Sequence, residues 1–322
     1  MRSSLVVSEE SPKSVRVLGT FLVILLLAGS ANAAVMGTLI AWGAENYGQT
    51  TVPAGTDYIA VAGGYFHSLA MHADGTLEAW GADMYGQGTA PSGTYTAISC
   101  GAWHNLAIKD DGSLAAWGDN RFGQLSVPAG NDFVAIAAGG FHSVALRSDG
   151  TIVAWGYNGL YQSDAPAGSN YDGVGAGYYT SSAILDSGDG VLWGNKAFGE
   201  PNVPAGDFVR LDGGKQNTVA LKTDGTLVAW GDNQVGQCNV PGGVYADLSV
   251  GFFYGIAMDG AGGIDAWGYN NYGETDVPNG YYFHTADAGG HHVIAIVDPV
   301  PEPASLAMLL LGGVALMRRR KA

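Results

Sequence analysis

Residues 58–81 read Tyr-Ile-Ala-Val-Ala-Gly-Gly-Tyr-Phe-His-Ser-Leu-Ala-Met-His-Ala-Asp-Gly-Thr-Leu-Glu-Ala-Trp-Gly. Three short strands fit into this stretch. The first, about 58–62, stops at the Gly63-Gly64 turn. The second, about 67–72, mixes small and apolar residues (Ser68, Leu69, Ala70, Met71), as a strand buried on both faces does. Asp74-Gly75 signals a two-residue type I′ hairpin, and a third strand over 76–80 ends on Trp80. A loop containing Tyr85-Gly86-Gln87 and Pro91 then leads onward.

The same unit recurs along the chain. Trp-Gly occurs at Trp42, Trp80, Trp117, Trp155, Trp193, Trp230 and Trp267, at spacings of 38, 37, 38, 38, 37 and 37. A constant period in this range signals a solenoid or a propeller. The hairpin signal returns at Asp111-Gly112, Asp149-Gly150 and Asp224-Gly225. The fourth copy substitutes Ser187-Gly188-Asp189-Gly190, and the sixth uses Asp259-Gly260 with Gly262-Gly263. Sheets of three short strands are not stable alone. Seven of them arranged around an axis bury both faces of each, which is a β-propeller. The tract begins with Gly37-Thr38-Leu39-Ile40-Ala41-Trp42, a third strand with no partners before it. It ends with Gly289-Gly290-His291-His292-Val293-Ile294-Ala295-Ile296, a second strand with no third after it. The two fragments complete one blade, so the N-terminal strand is expected to close the ring. A solenoid would need polar caps, and neither end reads as one.

Composition agrees with an all-β chain. Glycine supplies 51 of 322 residues, more than twice the usual share of about 7 per cent, and each glycine weakens a helix interior. The formal net charge is −15, whereas nucleic-acid binding needs clustered Lys and Arg. A nucleic-acid partner is excluded on that ground.

The repeats resemble the regulator of chromosome condensation repeat. The pattern is Gly-x-x-His-Ser/Thr-x-Ala-Leu followed by Asp-Gly-x-Leu/Val-x-x-Trp-Gly. It is clear in Gly139-Gly140-Phe141-His142-Ser143-Val144-Ala145-Leu146 and in Thr218-Val219-Ala220-Leu221-Lys222-Thr223-Asp224-Gly225. The short period is similar to a secreted bacterial branch that includes a β-lactamase inhibitor protein, and the resemblance implies an aromatic binding face. Guanine-nucleotide exchange, the eukaryotic activity of the family, is not carried over, because export, acidity and the lack of long insertions argue against it.

The two ends read as addresses. The apolar run 17–29 follows Lys13 and Arg16 and precedes Ala31 and Ala33, the pattern of a signal peptide cleaved after Ala33. Pro301-Glu302-Pro303 is followed by an apolar stretch from Ala304 to Met317 and by Arg318-Arg319-Arg320-Lys321. This ending resembles the PEP-CTERM sorting signal of exported bacterial proteins, which implies an exosortase as processing partner and cleavage near the motif. A plain membrane anchor would give the same topology. Either way the membrane is engaged only through this segment.

Chemistry is scarce. His67, His104, His142 and His292 hold one place in their repeats, with Thr180, Asn217 and Tyr254 in other copies. Repetition spreads them around a ring, so a turn side chain bonding neighbouring backbone is expected, not a metal or catalytic centre. No nucleophile motif or phosphate loop appears, and no convergence of charged residues is seen to break the repeat symmetry. Asp119-Asn120 and Asp232-Asn233 could hold calcium but lack an ordered ligand series, so turn capping is the better reading. Cys100 and Cys238 lie nearly four blades apart, too far for a disulfide.

Aromatic residues carry the functional signal. The residue before the repeat histidine is Phe66, Trp103, Phe141, Tyr179, Gln216, Phe253 or His291. A second ring follows Trp-Gly: Tyr47, Tyr85, Phe122, Tyr161, Phe198, Val235 and Tyr272. Chain direction puts both rings at one end of the propeller. They either plug the seams between blades or form a binding face.

The reading is therefore a seven-bladed β-propeller of three-stranded repeats at 34–298, between a signal peptide at 1–33 and a sorting signal at 299–322. It is expected to be an exported, monomeric, non-catalytic interaction module with no cofactor or metal, located at the cell surface or in extracellular matrix. Its partner would be a surface protein, with an exopolysaccharide as the alternative and a polysaccharide-degrading enzyme as the weakest reading.

Overall fold

The computed structural model describes residues 36–195, 197 and 202–299, which form seven three-stranded antiparallel sheets. Six blades are continuous in sequence, over 58–81, 95–118, 133–156, 171–194, 208–231 and 247–268. The seventh pairs the strands Tyr281–Ala288 and His292–Pro299 with the N-terminal strand Thr38–Gly43. Its register runs from Thr38 opposite Val297 to Gly43 opposite His292. The first and last strands of the repeat tract thus meet in one blade, as the broken repeats at its ends require.

The hydrophobic core lies between blades. Leu39, Tyr58, Val61, Ala70, Ile294 and Ile296 form one such cluster across the seam between blades seven and one. The first strand of each blade lies nearest the axis, and its terminal glycines let neighbouring backbones approach. A Cβ on Gly63 would stand 2.7 Å from the amide nitrogen of Gly289. Backbone hydrogen bonds cross the seams at this level, including Tyr65 N to Ala102 O and Gly290 N to Gly64 O.

The Asp-Gly hairpins differ from the type I′ expectation. Gly75 has φ +83°, but Asp74 does not enter the left-handed region that type I′ demands of both central residues. The loop has three residues. Gly75 N bonds His72 O and His72 N bonds Thr76 O, which is a type I turn closed by a left-handed glycine. Asp74 is selected instead by its side chain, whose Oδ1 accepts from Thr76 N and Oγ1 at 2.9 and 2.7 Å. In blade six the left-handed residue is Gly262, so Asp259 and Gly260 sit earlier in the turn than the Asp-Gly pairs elsewhere.

The repeat histidines are structural, but their partners are not local. His142 Nε2 is 2.8 Å from Ser181 Oγ, His104 Nε2 is 3.1 Å from Ser143 Oγ, and His292 Nε2 is 2.8 Å from Ser68 Oγ. His67 reaches Asn105 in the same way. Each imidazole therefore bonds the following blade, where neighbouring backbone was expected to be the partner. In blade six Tyr254 replaces the ring and donates to the carbonyls of Gly289 and His292.

Candidate functional site

A second repeated device aims the candidate aromatic residues. Gln49, Gln87, Gln124, Gln162 and Gln237 are fully buried in the loops that join the blades, with Glu274 in the corresponding place before blade seven. Each side chain accepts from the amide two residues earlier, as in Tyr47 N to Gln49 Oε1 at 2.8 Å and Tyr272 N to Glu274 Oε2 at 2.9 Å. The carbonyls of Gln49, Gln124 and Glu274 accept the indole N–H of Trp80, Trp155 and Trp42 respectively. A glycine with φ between +80° and +84° separates aromatic from anchor at Gly48, Gly86, Gly123 and Gly273, and Val235 from Gln237 at Gly236. The loop backbone is pinned from inside and its aromatic side chain is turned outward.

Described residues of the two rings meet at one end of the propeller. Tyr47 packs on Phe66 at 4.9 Å between ring centroids, Tyr85 on Trp103 at 5.9 Å and Phe122 on Phe141 at 5.4 Å. Tyr269 links Phe253 to Tyr272 at 6.1 and 6.3 Å. Phe66, Trp103, Phe141, Tyr179 and Phe253 are half-buried. Tyr47, Tyr85, Phe122 and Tyr272 are exposed, Tyr47 by 47% and Tyr272 by 50%. The inner ring therefore both bridges blades and supports the outer one.

One position needs correction. Tyr161 does not belong to the outer ring: Leu160 N makes the bond to Gln162 Oε1, so Leu160 fills the ring position. Tyr161 occupies the glycine position with φ +66° and is 65% exposed. Phe198 lies outside the described residues, as do the signal peptide and the sorting motif Pro301-Glu302-Pro303.

Three aromatic residues were missed. Tyr65, Tyr178 and Phe252 stand over the axis inside the expected rings, with Tyr65 stacked on Phe252 at 4.6 Å and Tyr178 edge-on to Phe252 at 4.9 Å. Burial pushes the Tyr178 phenol up to about 12, so it stays neutral at physiological pH. The doublets Tyr65-Phe66, Tyr178-Tyr179 and Phe252-Phe253 were the available signal. Beneath them the axial cavity, lined by blade glycines and Asp212, measures about 50 Å³. That volume is of the size of a few water molecules, whereas small-molecule pockets are several hundred Å³.

The repeat symmetry is broken by charge, contrary to expectation, near the axis of blades five to seven. Arg210 pairs with Asp247, and Asp212 and Asp287 are buried nearby. Asp212 accepts from the amides of Gly213 and Val250, at 2.9 and 3.0 Å. Asp287 accepts from Gly63 N and Ser249 Oγ, both at 2.7 Å, and so joins three blades. Burial pushes Asp212 up to about 7 and Asp287 up to about 6. These carboxyl groups face neighbouring blades and stitch the ring.

The candidate calcium-binding side chains are used locally. Asp119 accepts from Arg121, Asp232 from Gln234 N and Gln237 Nε2, and Asn120 from Leu125 N. The Cys100 thiol lies 3.0 Å from Asn105 Oδ1, and no disulfide joins it to Cys238.

Comparison with known proteins matches this architecture. The regulator of chromosome condensation (RCC1) repeat model matches residues 95–124, 133–162 and 208–237, and the PEP-CTERM protein-sorting motif matches 299–321. Among solved structures, Prp20p from Saccharomyces cerevisiae aligns with a TM-score of 0.72 and 14% identity over 85% of this chain and 94% of its own. That protein is described with binding to Gsp1p and histones. Human WBSCR16 aligns with a TM-score of 0.68 and 18% identity over 82% of this chain and all of its own. The receptor kinase CR4 ectodomain from Physcomitrella patens aligns at 0.63 and 22% identity over 75% and 70%. At these identities the likeness shows the fold. No curated protein is detectably similar to the chain.

Proposed function

We propose that this chain, with RCC1-type repeats folded as a seven-bladed propeller and a sorting motif of exported proteins, is a non-catalytic protein-interaction module. It docks a partner on its aromatic end, at the cell surface or in extracellular matrix. The observation that carries this reading is the exposure of Tyr47, Tyr85, Phe122 and Tyr272 on pinned loops around a half-buried aromatic floor. Stiff aromatic side chains give large contact area at small entropy cost. Sugar stacking needs open ring faces, but many rings here meet edge-on, such as Tyr85 with Trp103 at 79° and Phe141 with Tyr178 at 78°. Interlocked edges make the knobs and pockets that suit a protein surface.

Tyr85→Ala and Phe122→Ala should each weaken partner binding by a hot-spot amount, roughly tenfold to thirtyfold, with the melting temperature nearly unchanged. Trp103→Ala and Phe141→Ala should weaken binding and also lower stability, because these rings are half-buried. Asp111 and Asp224 accept only within their turns at the opposite end. Replacing either by alanine should leave affinity alone. Loss of stability with unaltered affinity in the folded fraction of all four aromatic variants would refute the docking face.

Processing belongs to the same proposal. An exosortase is expected to cut near Pro301-Glu302-Pro303, so mass spectrometry of the exported protein should find a C-terminus between about Val300 and Pro303. Peptides from 304–322 still attached to the mature chain would favour a permanent anchor.

A further inference from the structure

Arg121 stands among the aromatic residues of the docking face. Its Nε lies 3.0 Å from both carboxylate oxygens of Asp119, whose side chain is 1% exposed. Asp119 also accepts from the Arg121 amide at 3.1 Å, so backbone and side chain are held by one buried acid. The guanidinium carbon lies 4.8 Å from the Tyr85 ring centroid and 5.9 Å from that of Phe141. The side chain nevertheless remains 52% exposed. Among the described residues, Nη1 and Nη2 make no hydrogen bond, whereas Arg147 and Arg210 direct theirs to Asp132 and Asp247.

The result is a guanidinium fixed from below and from the sides, with its outer donors unspent. A planar fork of this kind matches a carboxylate, and an arginine already held in place loses little freedom on binding. We propose that Arg121 is the carboxylate-binding anchor of the aromatic face, fitted to a protein segment with one Asp or Glu flanked by apolar side chains. This rests on reading that face as the docking face. A polyuronate would also supply carboxylates. However, the chain carries a formal net charge of −15, which repels a polyanion along its whole length and a single carboxylate far less. Phe122, exposed beside Phe141, gives the flanking apolar residues a surface to cover.

The test selects binders from a randomised loop library displayed on a fibronectin type III scaffold, with the full exported protein as target. Enriched loops should carry Asp or Glu beside an aromatic or aliphatic residue. Changing that acid to its amide in the loop should cost about tenfold or more in affinity. The loss should be largely absent when the target is Arg121→Gln. The loop substitution leaves the propeller intact, so poor folding of an Arg121 variant cannot mimic the result. Loops without an acid, or acid-bearing loops indifferent to the amide change, overturn the anchor. If such loops still lose affinity on Trp103→Ala, the docking face survives and only the anchor fails. If they ignore Trp103 as well, both readings fail. Failure to enrich any binder overturns the proposal, as does tighter, Arg121-dependent binding of an alginate oligomer.

Discussion

Removing residues 34–43 should collapse the propeller. The strand Thr38–Gly43 is the outer strand of blade seven, and Leu39 and Trp42 are buried there. The Trp42 indole also donates to Glu274 O, and Gly37 N bonds Tyr58 O in blade one. Losing a large buried apolar side chain costs about 3–5 kcal/mol, and this deletion removes two along with a ladder of backbone bonds. The truncation also exposes the edge of the strand His292–Pro299, a template for aggregation. At about 2–4 °C per kcal/mol for a chain of this size, melting should fall by more than about 10 °C, or the protein should become insoluble. A truncated protein that melts within a degree or two of the intact one would show that the ring does not depend on this closure.

Acid should destabilise the fold steeply, and the cause is the histidine ring. Burial pushes His67, His104, His142 and His292 down from 6.5 to about 4, 3, 4 and 3. Below pH 6.5 the unfolded chain gains a proton at each of them and the folded chain does not. Their contribution is therefore intact above pH 6.5 and is lost as pH falls towards the folded values. Asp212 and Asp287 oppose this: raised to about 7 and about 6, they hold protons in the folded state that the unfolded chain releases until about pH 4. Four groups against two leave a surplus of about two protons on the unfolded chain near pH 5, or about 3 kcal/mol lost per pH unit. Between pH 7 and 5 the melting temperature should fall by about 10 °C. His292→Asn, which copies the Asn217 of blade five, should flatten the profile by one proton. An unchanged melting temperature from pH 7 to 5, or an equal slope in the variant, would contradict the burial argument.

Local demands on the backbone were legible, and contacts between repeats were not. Gly75, Gly112, Gly150 and Gly225 were readable because a left-handed turn residue is nearly always glycine. The turn type was misread because the Asp-Gly pair looks alike in two-residue and three-residue loops. The partner of His142 was hidden because Ser181 lies 39 residues away, and the period alone does not give side-chain register across a seam. Tyr161 entered the outer ring by residue type. Counting five positions from each tryptophan reaches Tyr47, Tyr85, Phe122 and Tyr272, and from Trp155 it reaches Leu160. Arg121 left no sequence signal, since its role comes from a buried Asp119 beneath it and rings from two neighbouring blades.

The docking face is tested most directly by photo-cross-linking in the cells that export the protein. A photoreactive amino acid would replace Tyr85, Phe122 or Tyr272 at the aromatic end, and Asp111 or Asp224 at the other. The docking account predicts discrete protein adducts from the first three positions and none from the last two. Adducts from the Asp-Gly turns, equal labelling of both ends, or no protein adduct from the aromatic positions would contradict it.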